Sequence, residues 1–124
     1  MMKIVALTFA VCCNGLCVQE DCAIWSSNPA QWMTSFEKIA RSSMGVKSRA
    51  VRLFQTSYPA MTADCVVCQA DMAHCGAKHC SSKCMLDKLS EKCIQCVEEK
   101  CIPGYHACIG KESFTILPPR PWEQ

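Results

Sequence analysis

Large apolar residues recur every three or four positions in the segment after Asn28, as on one face of a helix. They are Trp32, Phe36, Ile39 and Ala40. Asn28 can cap the first turn, and Pro29 suits the first helical position. Glu37 and Arg41, four residues apart, would lie together on the polar side. The pattern predicts an amphipathic helix that begins at Pro29.

A second amphipathic segment follows a predicted break at Ser42, Ser43 and Gly45. Its apolar positions again fit helical spacing: Val46, Ala50, Leu53 and Phe54. Tyr58 and Pro59 predict its end, because the residue before a proline disfavours helical backbone. Residues 18–63 are therefore predicted to hold one or two amphipathic helices.

Cysteine dominates the next region, where nine of the chain's 13 cysteines lie in residues 65–108. The first part of this region places four residues on one helical face: Cys65, Cys68, Met72 and Cys75. Gly76 is a natural helix stop, and a second helix would carry Cys80 and Cys84 towards Leu89.

Ser90 is placed to cap a third helix, and Pro103 with Gly104 predicts its end. The residues on its apolar face would be Cys93, Cys96, Val97 and Cys101. The predicted fold class is thus all-α, with a disulfide-rich module of about three short helices in residues 64–110 and one or two amphipathic helices before it.

The region contains two CxxC motifs, CVVC at Cys65 and CIQC at Cys93, and at least two further cysteines follow each of them. The next two intervals are six and four residues after the first motif, but four and six after the second. This reversal is consistent with two hairpin-like halves that clasp each other.

Large apolar side chains are scarce in this region, since valine, isoleucine, leucine and phenylalanine total seven in residues 65–108. Such a unit cannot bury enough surface to offset its ordering entropy. Four or five disulfides, at about 2 to 4 kcal/mol each, would replace the missing core. The sequence leaves their pairing open among ten cysteines: Cys22, Cys65, Cys68, Cys75, Cys80, Cys84, Cys93, Cys96, Cys101 and Cys108.

The amino-terminal segment, residues 1–17, has the features of a secretory signal peptide. Lys3 precedes the uncharged run IVALTFAVCCNGLC, which is too short to be a comfortable membrane span. Small residues at Gly15 and Cys17 predict cleavage between Cys17 and Val18. That cut would leave an even ten cysteines, which can all pair. An uncleaved, buried amino-terminal helix is the alternative.

Secretion into an oxidising compartment is predicted from the signal peptide and the cysteine content together. The alternative is an organellar lumen, because the basic, serine-rich stretch after the signal resembles a transit peptide that would be cut near Ala63. Residues 111–124 contain PPRPW and are predicted to form a proline-rich extended tail.

The cysteines and histidines admit three kinds of chemistry. Cys65, Cys68, Cys93 and Cys96 match the spacing of a four-cysteine zinc site, but neither motif has the glycine of a zinc knuckle. A reactive CxxC usually starts a helix beside a strand, and no strand pattern lies nearby. The three histidines accompany no serine-centred or paired-carboxylate arrangement: His74, His79 and His106. We therefore predict a non-enzymatic protein with no catalytic residue, no cofactor and no metal.

Five basic residues lie between positions 38 and 52 with no acid among them: Lys38, Arg41, Lys47, Arg49 and Arg52. With Trp32, Phe36, Leu53 and Phe54 opposite, the segment would suit an anionic membrane surface. In the simpler interpretation, the apolar face packs on the cysteine module and the charges are solvated. The whole chain is nearly neutral, with 13 basic and 11 acidic residues, so no nucleic-acid partner is predicted.

The cysteine order in residues 65–110 resembles that of small secreted cysteine-rich modules whose activities are not defined. The segments that carry the resemblance are ADCVVC, EKCIQC and CIPGYHACIG, with Cys75, Cys80 and Cys84 between the first two. The resemblance implies a disulfide framework and no particular activity. The predicted function is binding of another protein. The alternatives are binding of a lipid or anionic membrane surface, and a role as accessory subunit of a larger assembly.

Overall fold

The computed structural model describes residues 15–85, 87 and 90–110. These residues form six α-helices and no β-strand, which confirms the predicted all-α class. The helices are α1 (Gln19–Ser26), α2 (Pro29–Ser43), α3 (Lys47–Ser57), α4 (Ala63–Cys84), α5 (Glu91–Lys100) and α6 (Ile102–Ile109). None of the helices in the described ranges has the length and apolarity to cross a membrane. The predicted proline-rich tail lies outside the described residues.

The two amphipathic helices form where the sequence predicts them. At the start of α2, the Asn28 side chain accepts a hydrogen bond from the Gln31 backbone N–H at 3.1 Å, and Pro29 takes the first turn. Helix α2 ends at Ser43, and the next two residues, Met44 and Gly45, both have left-handed backbone, with φ of 52° and 78°. This pair turns the chain back into α3.

The apolar faces of α2 and α3 meet α1 in a group of packed rings, here called the aromatic cluster, in which four rings are buried and Tyr58 is half-buried: Trp25, Trp32, Phe36, Phe54 and Tyr58. Neighbouring ring centroids in the cluster are 5.1 to 6.1 Å apart. Helix α3 also packs along α4, and the cluster joins the rest of the buried core there. The packing that the simpler interpretation predicts, with the apolar faces of these helices turned into the core, is therefore confirmed.

Helix α4 is one continuous helix of 22 residues, so the predicted stop at Gly76 is wrong. A single interior glycine costs a helix about 1 kcal/mol, which tertiary bonds can offset. Two disulfides, from Cys75 and from Cys80, tie α4 to the opposite helices on either side of this glycine.

The two signals predicted for the third helix had different outcomes. Ser90 caps α5 as predicted, since its hydroxyl oxygen accepts from the Cys93 backbone N–H at 3.2 Å. Pro103 and Gly104, in contrast, lie in the first turn of α6, and α5 already ends at Lys100. Proline is tolerated at a helix start because no intrahelical hydrogen bond needs its missing N–H there.

Four disulfides connect α4 to α5 and α6 in nested order: Cys84–Cys93, Cys80–Cys96, Cys75–Cys101 and Cys68–Cys108. We call this set the disulfide ladder. The innermost bond lies beside the turn between α4 and α5, and the outermost joins the start of α4 to the end of α6. Helices α4 to α6 thus form an antiparallel hairpin that is bonded covalently along its length. Disulfides at this density are typical of proteins from oxidising compartments.

A fifth disulfide joins Cys65 to Cys17, which lies outside the predicted set of ten disulfide cysteines. Cys17 is buried, and the adjacent Gly15 and Leu16 donate backbone hydrogen bonds to the carbonyls of Ile109 and Cys108. The predicted cut between Cys17 and Val18 does not fit this arrangement, because a chain that starts at Val18 lacks the partner of Cys65. Residues 1–14 of the predicted signal peptide lie outside the described residues.

Cys22 is disulfide-bonded as well. All ten cysteines that the sequence assigns to structural disulfides are therefore oxidised, and Cys17 joins them. Cys17 was not among the predicted cysteines, because the prediction assigned it to a segment that would be removed.

Candidate binding surface on helices α2 and α3

The five basic residues singled out in the sequence lie on two neighbouring helices. Lys38 and Arg41 belong to α2, while Lys47, Arg49 and Arg52 belong to α3. All five are exposed. Helices α2 and α3 pack against each other, so the five predicted residues are distributed over two adjacent helices.

Two of the five basic residues are engaged in ion pairs within the chain. Arg41 contacts Glu37 at 3.1 Å, one helical turn earlier in α2. Lys47 contacts Asp71 of α4 at 2.7 Å. These pairs are exposed, so each contributes at most about 1 kcal/mol. Both of these cations already have a carboxylate partner, which lowers their capacity to attract another.

The other three cations have no ion pair among the described residues: Lys38, Arg49 and Arg52. We call these three the basic face. An exposed cation without a partner keeps its full attraction for acidic groups in solution. The basic face is therefore the strongest part of the predicted anion-contact set.

A shallow groove of about 240 Å³ runs between α2 and α3 next to Lys38. It is lined by three serines, two aliphatic residues and this lysine: Ser35, Ser42, Ser57, Ile39, Leu53 and Lys38. Ile39 is buried and Leu53 is half-buried, so the floor is apolar and the rim is polar. The groove offers hydroxyl and ammonium donors around a small apolar area.

The turn between α2 and α3 exposes apolar side chains beside these charges. Met44 is 77% exposed and Val46 is 41% exposed. Gly45 between them is fixed against α4, because the His74 Nδ1 donates to the Gly45 carbonyl oxygen at 2.8 Å. The turn is thus attached to the hairpin while its two apolar side chains face outward.

The aromatic residues that the membrane hypothesis required do not contribute to this surface. Trp32, Phe36 and Phe54 are all buried, and they pack in the aromatic cluster. Interfacial helices bind membranes by burying such side chains in the lipid headgroup region. The helices therefore lack the apolar face that the membrane hypothesis assigned to them.

The two CxxC motifs do not supply thiolates for zinc or for redox exchange. Cys65 and Cys68 are bonded to Cys17 and Cys108, and not to each other. Cys93 and Cys96 are likewise bonded outside their own motif, to α4. A four-cysteine zinc site requires deprotonated thiols, which these sulfurs do not provide.

One group of metal-capable atoms occurs within the described residues, formed by Cys17, Asp21 and Cys65. Its two sulfurs are joined to each other at 2.02 Å, so they are not available as thiolate ligands. The Asp21 carboxylate is engaged in hydrogen bonds to the Val18 N–H and to the backbone and hydroxyl of Thr62. The group is therefore structural.

Sequence reasoning missed Asp21 and the turn at Met44. The hydrogen bonds of Asp21 cross 41 residues to Thr62, and no local pattern marks a contact at that distance in sequence. Met44 differs, because a helix that breaks just before a glycine was predicted there. The prediction did not include left-handed backbone at Met44 as well as at Gly45.

No protein-family model, curated protein or solved structure matches the chain. The resemblance to secreted cysteine-rich modules thus stays a prediction that rests on the quoted segments.

Proposed function

We propose that this protein is a secreted, non-enzymatic binding module that recognises an acidic protein through the basic face and the adjoining groove. The hairpin with its disulfide ladder would serve as a rigid support. The hypothesis of a compartment outside the cytosol is supported by the disulfide density, since reducing compartments do not sustain such bonds.

The observation that carries the proposal is that Lys38, Arg49 and Arg52 have no ion-pair partner within residues 15–85, 87 and 90–110 and lie on helices packed against the core. Helix α2 rests on the aromatic cluster, and α3 rests on α4. Cations on rigid elements are positioned before the partner arrives, so binding costs less ordering entropy. Complementary charge of this kind raises the association rate and excludes partners of like charge.

An acidic protein fits this surface better than an anionic membrane does. Electrostatic attraction to an anionic leaflet contributes about 1 kcal/mol per cation near the surface, so three cations would give weak binding alone. Stable membrane binding also needs inserted apolar area. The large rings that could supply it are buried.

The test uses a fluorescently labelled poly-glutamate peptide and the full chain, with affinity measured by anisotropy at low and high salt. The triple variant Lys38→Gln, Arg49→Gln, Arg52→Gln removes the basic face. A matched triple variant, Lys78→Gln, Lys83→Gln, Lys92→Gln, removes three exposed lysines of the hairpin and changes the net charge equally. We expect the first triple to weaken binding at least tenfold and the second to have little effect.

Two outcomes would overturn the proposal. Equal losses from the two triple variants would mean that net charge alone, and not the basic face, governs the interaction. Tight binding to phosphatidylserine vesicles, lost in the first triple variant and without measurable binding to poly-glutamate, would assign the surface to a membrane.

A further inference from the structure

We infer that Met44 is an apolar anchor in the turn beside the basic face, and that the acidic partner presents large apolar side chains next to its carboxylates. This inference rests on the proposed function and names the chemistry of its partner more closely. It comes from a residue whose conformation and exposure are both unfavourable for the isolated protein.

The backbone of Met44 is left-handed, with φ of 52° and ψ of 34°. Residues with a Cβ adopt this conformation at a cost, so helices that end this way usually have glycine or asparagine at that position. Met44 has neither the freedom of glycine nor the polar side chain of asparagine. Its side chain is 77% exposed, so burial does not offset the cost.

The turn that presents Met44 is held firmly from behind. The Gly45 carbonyl oxygen accepts from the His74 Nδ1, and the Gly45 α-carbon lies so close to α4 that an added Cβ would be 2.7 Å from the Cβ of Ala77. Lys47 of α3 adds an ion pair with Asp71, which also lies on α4. An apolar side chain that is exposed on a fixed backbone is preorganised for contact.

The neighbours of Met44 in the chain fit the centre and rim of a protein interface. Val46 adds a second exposed apolar side chain, and Arg49 of the basic face follows Met44 by five residues. Interfaces commonly place an apolar anchor at the centre and polar groups at the rim, where they exclude water. The complement of this arrangement is an apolar cluster bordered by carboxylates.

The chain contains a matched control for this inference. Met85 is also 77% exposed, but it follows α4 with ordinary right-handed backbone, φ of −59° and ψ of −44°. Exposure of a methionine alone indicates no binding role, since single apolar side chains are common on protein surfaces. The combination of exposure with left-handed backbone distinguishes Met44 from Met85.

The experiment compares two labelled peptides of equal length and equal net charge, one of glutamate and glycine and one of glutamate and leucine. We expect the full chain to bind the leucine peptide about tenfold more tightly. Met44→Asn should abolish this preference and leave the melting temperature unchanged or higher, because asparagine adopts left-handed backbone more readily. Met44→Leu and Met85→Asn should both keep the preference.

The possible failures are distinguishable. If Met44→Asn keeps the full preference for leucine, or if it melts clearly earlier than the unmodified chain, Met44 is not the anchor and the inference is wrong. The proposed function stands in that case as long as the acidic peptides bind through the basic face. If neither peptide binds, the proposed function fails and the inference fails with it.

Discussion

Asp21 illustrates how one buried polar residue fixes two distant parts of this chain. Its carboxylate is fully buried, and it accepts hydrogen bonds from the Val18 N–H at 3.0 Å, the Thr62 N–H at 2.9 Å and the Thr62 hydroxyl at 2.6 Å. A buried polar group is tolerated only when hydrogen bonds replace its contacts with water. Asp21 therefore attaches the start of α1 to the residue that precedes α4.

Replacement of this carboxylate should destabilise the fold. In Asp21→Asn, an NH2 group replaces one carboxylate oxygen. This group donates hydrogen bonds, and it would then face a hydrogen-bond donor of Thr62 or Val18. Loss of a hydrogen bond to a buried charged group costs about 1 to 3 kcal/mol, and we expect a loss of that size in the free energy of unfolding by denaturant. Asp64→Asn, which changes an exposed carboxylate nearby, is the control and should stay within about 0.5 kcal/mol. Equal stability of both variants would contradict the role of Asp21.

Two glycines should respond to alanine in opposite directions. Gly45 has φ of 78° and lies against Ala77, whereas Gly76 is inside α4 with nothing within 4 Å of an added Cβ. Gly45→Ala should therefore lose about 1 to 3 kcal/mol of stability. Gly76→Ala should gain about 0.5 to 1 kcal/mol, because alanine favours helix and loses less entropy. Thermal melts of the two variants check both signs, and a loss in Gly76→Ala would show that this site needs glycine.

At the scale of elements, the disulfide ladder follows from antiparallel geometry. Successive ladder bonds are 9, 16, 26 and 40 residues apart in sequence. From each ladder bond to the next one outward, the cysteine positions move by a similar number of residues backward along α4 and forward along the α5–α6 segment. The reversed cysteine intervals in the sequence are the signature of this nesting. They indicate the order of the bonds, which the interpretation as two clasping halves did not extract.

The nesting also predicts how much each ladder bond contributes. When the other bonds are intact, the new loop that an outer bond closes contains only the residues between that bond and the next bond inward. This loop is short at every step of the ladder. The chain-entropy model then assigns about 2 to 3 kcal/mol to every bond. If each bond instead closed the whole segment between its two cysteines, the model would assign the outermost bond more stabilisation than the innermost, by more than about 1 kcal/mol.

Paired serine substitutions test this prediction by urea unfolding under oxidising conditions. Cys68→Ser with Cys108→Ser should cost nearly as much as Cys84→Ser with Cys93→Ser. A clearly larger loss of unfolding free energy in the Cys68→Ser, Cys108→Ser variant would show that nesting does not equalise the contributions of the ladder bonds.

Helix boundaries were predictable where a local signal had no competitor. Asn28 with Pro29 starts α2, and Ser90 starts α5, because side-chain capping depends on neighbouring residues alone. Gly76 and Pro103 misled because tertiary bonds and position within the helix decide their effect. The pairing of Cys17 with Cys65 was not predictable, since it depends on a contact over 48 residues.

At the scale of the whole molecule, two kinds of interior support each other. Helices α1 to α3 contribute the aromatic cluster, while α4 to α6 contribute few large side chains and rely on the ladder. The sequence predicted this division from the distribution of aromatic residues and cysteines. It could not predict which cations would be used internally, because Asp71 reaches Lys47 only in the folded chain.

The division implies that reduction should unfold the entire protein and not the hairpin alone. Helix α4 carries cysteines and also the surface on which α3 packs, so loss of the ladder removes support from both halves. We expect far-ultraviolet circular dichroism to fall towards that of an unfolded chain after mild reduction at room temperature. Near-ultraviolet bands of the aromatic cluster should disappear in the same transition. Aromatic bands that persist after the helical signal is lost would show that α1 to α3 fold on their own.

The central claim is that nested covalent bonds between α4 and the α5–α6 segment hold this fold together. Disulfide mapping by mass spectrometry of native, unreduced protein after proteolysis tests it most directly. We expect linked peptides for Cys84–Cys93, Cys80–Cys96, Cys75–Cys101 and Cys68–Cys108. Free thiols at these positions, or crossed pairs such as Cys93 with Cys96, would contradict it.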